Sequence, residues 1–137
     1  MIIDSKLIEY KSNIESIQAI DSLEVYRWLI SLGKKLEDNP LSKDKHNEKN
    51  RVSRCQFDLF VDWEENKFKA WSNAMVAGGY AYILLDIFNS CPIHEAKKIT
   101  VDHFKKIKLD ELLTMNRKTG FYQMIEMMMG KIKNVRN

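Results

Sequence analysis

The sequence predicts an α+β fold in which a small antiparallel β-sheet packs against several α-helices. Apolar residues recur at helical spacing up to Leu36, alternate with period two between Gln56 and Trp71, and return to helical spacing from Met75 onward. The strands are thus grouped in the middle of the chain rather than interleaved with helices, which is an α+β order and not that of a parallel α/β sheet. With 137 residues, of which 45% are hydrophobic and 30% charged, the chain fits a single domain spanning residues 1–137. Its core should need no disulfide or metal staple.

Leu7, Ile8, Ile14 and Ile17 give Ser5 to Ile17 a moderate helical pattern. The next helix, DSLEVYRWLISLGKKL, is better marked. Asp21 can cap its free amides with Glu24 three residues on, and Val25, Leu29, Leu32 and Leu36 share one face. EDNPLSKDKHNEKNR carries Pro40, many charges and one large apolar residue, Leu41, so it reads as an exposed loop. From Gln56, the residues Phe57, Leu59, Val61 and Trp63 point one way and Gln56, Asp58 and Asp62 the other, with Phe60 the exception. EEN allows a tight reversal into a second strand, where Phe68 and Ala70 alternate with Lys67, Lys69 and Trp71. A further strand or irregular edge is expected, without a position.

Ser72 or Asn73 can cap the next helix, Met75 to Phe88, which is apolar nearly all round, as suits a central helix packed on several sides. Gly78 and Gly79 each cost about 1 kcal/mol of helix propensity relative to alanine, which implies close packing there. Pro92 interrupts the chain, and NSCPIHEAKKI and TVDHFKKIKLDELL supply short helical pieces. The last helix presents a stripe of Phe121, Met124, Ile125, Met128 and Ile132, read as core packing rather than a partner-binding face. Lys131, Lys133 and Arg136 suit the negative end of its dipole.

Several function classes receive no support. A net charge of +3, from 22 basic and 19 acidic residues, can be spread over the surface and indicates no nucleic-acid partner. The most apolar run, Ala74 to Leu85, is shorter than the roughly 18 to 20 residues that span a bilayer, and Asp86 closes it, so no membrane partner is expected. Asp4, Lys6 and Glu9 interrupt any signal-peptide core. Cys55 and Cys91 form no CxxC and no zinc signature with His46, His94 or His103, so a reducing cytoplasm is the expected location and no metal is implied. The Gly78-Gly79 pair lacks the setting of a phosphate loop.

Cys55, in RVSRCQFDLF, falls where the polar loop turns into the alternating strand. Two readings stay open: an inert, partly buried thiol, or a nucleophile. Only the thiolate is nucleophilic, and at a free-cysteine pKa of about 8.5 it is a minor species unless positive charge favours it. Arg51 and Arg54 could supply that charge. Cys91, between a helix end and Pro92, reads as packing.

Four segments in order, EVYRWLISLGKKL, VSRCQFDLF, SNAMVAGGYAYIL and LTMNRKTGFYQMI, resemble the SufE family of sulfur acceptors in iron–sulfur cluster assembly, and the resemblance runs from about Glu24 to Ile132. The chain differs from the family pattern at Arg54 (glycine there), Phe57 (serine), Asn73 (aspartate) and Gly78 (a basic residue). The resemblance implies an α+β fold like that of IscU-type scaffolds. It implies that Cys55 accepts sulfur by transpersulfidation from a pyridoxal-phosphate-dependent, SufS-like cysteine desulfurase, stimulates that enzyme, and passes the sulfur to a cluster scaffold, with no independent turnover and no cofactor of its own. With Cys55 in that role, Arg51, Arg54, Arg117 and Asn73 are the expected partner-binding or thiolate-modulating residues, Arg117 by its match to the family's arginine. The alternative is a diverged relative that binds a partner without transferring sulfur. A cluster scaffold is disfavoured because two cysteines give too few thiolates for a usual ligand set.

Overall fold

The computed structural model describes residues 2–136. Its elements run α1 (Ile2–Ile20), α2 (Ser22–Leu36), β1 (Leu59–Glu64), β2 (Lys67–Ser72), α3 (Met75–Ser90), α4 (Ile93–Ala96), α5 (Val101–Lys105) and α6 (Met115–Ile132). This is the α+β order that the sequence predicts. Short 3-10 turns lie at Lys43–Lys45, Glu48–Asn50 and Asp110–Leu112.

The apolar α3 is the central element and packs against α1, α2, α6 and β2. Its glycines answer to α2. A Cβ on Gly79 would lie 2.1 Å from the Leu29 carbonyl oxygen, and one on Gly33 would lie 2.3 Å from that of Met75. The two helices therefore touch backbone to backbone, and the propensity lost at these glycines is the cost of that approach. On the other side of the core, α6 buries Phe121, Met124, Ile125, Met128 and Ile132, all the members of the expected stripe.

The first helix is longer than its moderate pattern suggests and buries residues beyond that pattern. Ile3, Leu7, Tyr10 and Ile14 are buried, whereas Ile8 is 69% exposed. Tyr10 can enter the core because its hydroxyl donates to Asp86 (2.5 Å), and the Glu95 carboxylate accepts from the Ile3 amide (3.0 Å) at the open end of α1. Asp21 caps α2 by accepting from the Leu23 amide (3.0 Å). Glu24 does not complete a capping box, because its carboxylate accepts from Arg27 instead (2.7 Å).

The sheet is one antiparallel pair, with Leu59 opposite Ser72 and Glu64 opposite Lys67. Glu65 and Asn66 both take left-handed backbone angles, φ 55° and 65°, as a two-residue hairpin turn requires. The strand begins at Leu59 and not at Gln56. The backbone of Asp58 is already committed elsewhere: its N–H donates to Asn73 Oδ1 (3.0 Å), and its carbonyl accepts from the Ser72 hydroxyl (2.8 Å) and the Asn73 amide (3.2 Å). Phe57 consequently lies exposed rather than on the inner face. The irregular edge falls at Arg51, which bridges to Phe60, while the Val52 amide donates to the Leu59 carbonyl (2.8 Å).

Phe60, the exception in the alternation, is buried because the preceding loop covers the second face of the sheet. The His46 ring stacks on Phe60 (5.1 Å between centroids) and on Trp71 (4.8 Å). This loop is less exposed than its composition implies. Leu41 is buried, and so is Asn50, whose amide nitrogen donates to the Lys45 carbonyl and the Asp62 carboxylate while its oxygen accepts from Lys131 (2.7 Å). Neither Ser72 nor Asn73 occupies the N-cap of α3, which falls at Ala74 without a side-chain bond. No helix among the described residues is long and apolar enough to cross a membrane.

Candidate functional site

Cys55 occupies the loop Ser53–Phe57, between Val52, fixed to Leu59, and Asp58, fixed to Asn73. The Cys55 amide donates to the Val52 carbonyl (3.0 Å), which closes a turn. The side chain is half-buried, and the Tyr80 hydroxyl donates to its Sγ (3.7 Å). Tyr80 is inaccessible to solvent. Burial, then the neighbouring Cys55, raise its pKa and keep it a neutral phenol, with Arg117 acting in the opposite sense. Its proton therefore stays available for donation to sulfur.

Glycine at position 120 lets α6 reach this point. A Cβ there would lie 2.7 Å from the Tyr80 hydroxyl oxygen and 3.4 Å from both Cα and Cβ of Cys55. One turn later Gln123 fastens the loop: its Oε1 accepts from the Arg54 amide (2.7 Å), and its Nε2 donates to Ser53 Oγ (2.9 Å).

Cys55 opens on a mainly apolar cavity of about 250 Å³ whose walls include Ile30, Phe57, Met75 and Tyr80, with Asn73, Asn116 and Arg117 among its polar lining. The Arg117 guanidinium rests over the Tyr26 ring (5.2 Å to its centroid), and the Tyr26 hydroxyl donates to the Leu112 carbonyl (2.8 Å). A sulfur anion in this cavity would meet the Tyr80 hydroxyl, the side chains of Arg117, Asn73 and Asn116, and mainly apolar walls.

Of the five residues singled out from the sequence, Cys55, Asn73 and Arg117 meet at the cavity. Arg51 and Arg54 do not line it. Arg51 is engaged by Asp58 (2.7 Å) and lies over the Phe60 ring (5.5 Å), and Arg54 is exposed, held through its backbone. Cys91 is a different thiol. It is buried, donates to the Ile87 carbonyl (3.4 Å), and is pushed up to about 11 by burial, with Glu95 adding to the effect. Among the described residues no three His, Cys, Asp or Glu side chains are placed to hold a metal ion.

Tyr80, Gly120 and Gln123 were not singled out as site residues by sequence. A tyrosine inside an otherwise apolar helix needs a partner for its hydroxyl, and that requirement was the available signal for Tyr80. Gln123 carries no such signal, since a glutamine beside an apolar stripe is ordinary.

The sequence profile described as SufE, Fe-S metabolism associated domain, matches residues 11–132. The chain belongs to the SufE family. An uncharacterised SufE-like protein of Synechocystis sp. is 29% identical to it over 115 residues, which cover 81% of this chain and 71% of that protein. Every residue of the cavity lies within the span matched as SufE, so the thiol site is part of the domain associated with iron–sulfur metabolism and not an addition to it.

Proposed function

We propose that this SufE chain is a sulfur acceptor, and that Cys55 takes sulfur from the persulfide of a pyridoxal-phosphate-dependent, SufS-like cysteine desulfurase and passes it to a cluster scaffold. The observation that carries the proposal is the setting of Cys55: a half-buried sulfur bonded by the Tyr80 hydroxyl at the wall of a mainly apolar cavity that also holds Arg117. The Cys55 thiolate attacks the terminal sulfur of the desulfurase persulfide. A sulfur–sulfur bond forms on Cys55 as the donor's bond breaks, the desulfurase cysteine leaves as a thiolate, and it takes up the proton that Cys55 released. The sulfur moves with no net oxidation or reduction, so no redox cofactor is required.

Tyr80 donates to the sulfur anion, and Arg117 offsets its charge from the wall. The half-buried setting of Cys55 limits the approach of other thiols to the product persulfide, which a second thiolate would cleave. Arg54, exposed beside Cys55 in the chain, and Arg51, which Asp58 engages, lie outside the cavity and are assigned to docking, where charge steers association. No turnover of its own is assigned to the chain: it relieves the desulfurase of sulfur.

Substituting Cys55→Ser should leave the melting transition unchanged and abolish stimulation of desulfurase turnover. Persisting stimulation overturns the role of Cys55. If the native chain binds a desulfurase without stimulating it, the chain is a binding-only relative.

A further inference from the structure

Among the described residues, hydrogen bonds hold the middle of the Cys55 loop to the rest of the protein through two side chains, Tyr80 and Gln123. Tyr80 donates to Sγ, while Gln123 makes two bonds, accepting from the Arg54 amide (2.7 Å) and donating to Ser53 Oγ (2.9 Å). The Cys55 amide bond to Val52 is internal to the turn. Ser53, Arg54, Gln56 and Phe57 are all exposed, so little apolar burial holds the segment down. Its ends are fixed, by the Val52–Leu59 backbone bond on one side and by Asn73 on Asp58 on the other. The segment can therefore lift between two anchored ends.

Exchange with a sulfur on another protein requires access to Sγ by a bulky donor, whereas here Cys55 is half-buried and its Sγ is bonded by Tyr80. We infer that Gln123 is a positioning residue, a latch whose side-chain amide holds the Cys55 loop against α6 and sets how often the thiol is presented to a macromolecular sulfur donor. Its purpose rests on the sulfur-acceptor reading, but its test does not. The chemistry of the side chain fits both ends of the latch: the carbonyl oxygen meets a backbone donor, and the NH2 group meets a hydroxyl. Both bonds lie near solvent, where each contributes little net stability, so the latch can open without unfolding.

The test is alkylation of Cys55 by iodoacetamide and by a bulky polyethylene-glycol maleimide, followed by peptide mass spectrometry that distinguishes Cys55 from Cys91. In Gln123→Ala the bulky reagent should react about tenfold faster, and the small one by a lesser factor, with the protein still folded and its melting point lower by only about 4–6 °C. Gln123→Glu, whose carboxylate still accepts from the Arg54 amide and the Ser53 hydroxyl, should react like the parent, and Ser53→Ala should fall between. Equal bulky-reagent rates for parent and Gln123→Ala overturn the latch, as does a Gln123→Glu variant as fast as Gln123→Ala. If these rates hold but Cys55 takes no sulfur from a desulfurase, the latch stands and the sulfur-acceptor reading falls.

Discussion

Replacing Gly120 by alanine perturbs the site at its tightest point. The added Cβ would sit 2.7 Å from the Tyr80 hydroxyl oxygen, about 0.7 Å short of the 3.4 Å at which ordinary contact begins, and it would touch Cα and Cβ of Cys55 at 3.4 Å. Tyr80 has little freedom to yield, because its ring is inaccessible and meets Phe121 edge to face at 5.7 Å. Either α6 moves outward or the hydroxyl tilts away from Sγ, and both lengthen a bond already at 3.7 Å. Overpacking costs about 1–3 kcal/mol, and alanine returns about 1 kcal/mol of helix propensity, so the net loss of stability is about 0–2 kcal/mol. That corresponds to a melting point lower by up to about 8 °C. The effect on chemistry should be larger in proportion, since losing a hydrogen bond to a sulfur anion is worth about 1.5 kcal/mol, or about tenfold in rate. The assay is the rate at which a cysteine desulfurase loads sulfur onto Cys55, beside a thermal melt. Tyr80→Phe, which keeps the ring and removes the hydroxyl, should show the same loss without the steric term. A Gly120→Ala variant that melts and loads like the parent refutes the reasoning.

Three further outcomes follow from the same geometry. Gly79→Ala forces a Cβ to within 2.1 Å of the Leu29 carbonyl oxygen, backbone against backbone, and should lower the melting point more than Gly120→Ala. Gly130→Ala, with nothing within 4 Å, should be neutral or slightly stabilising, and equal effects at the two positions contradict the account. Hydrogen bonds from Ser42, aided by Lys45 and Lys69, hold the Glu64 carboxyl below its usual range. The folded value lies under the unfolded one, so this contribution is complete above the ordinary carboxylate range and is lost as pH falls through the folded value. Urea midpoints of parent and Glu64→Gln should therefore differ at pH 7 and converge in acid, and a gap that persists unchanged contradicts the assignment. Native alkylation at pH 8 should label Cys55 and spare Cys91, whose thiol is buried and pushed up to about 11; labelling of Cys91 at a comparable rate overturns the contrast between the two.

What the sequence revealed follows from how local each feature is. The faces of α2 and α6 depend on spacing within a few turns, and Val25, Leu29, Met124 and Met128 are buried as their period requires. The start of β1 depends instead on Ser72 and Asn73, more than a dozen residues away, which claim the backbone of Asp58. The alternation beginning at Phe57 therefore overshoots the strand. On α1, Leu7 and Ile14 are buried as their spacing suggests, whereas the burial of Tyr10 depends on Asp86, 76 residues on, which accepts from its hydroxyl. At the site, Cys55 was legible through family resemblance. Its arginine neighbours in sequence were poor guides to its surroundings, since Arg51 turns to Asp58 while Arg117, far along the chain, reaches the cavity. Tyr80 and Gln123 act across separations of 25 and 69 residues, which no local pattern records.

The central claim is that Cys55 carries sulfur, and peptide mass spectrometry under non-reducing conditions, after incubation with a cysteine desulfurase and cysteine, tests it most directly. The account expects a gain of one sulfur atom's mass on the peptide containing Cys55 and none on that containing Cys91. No gain on Cys55, with a desulfurase that charges a known acceptor, contradicts it.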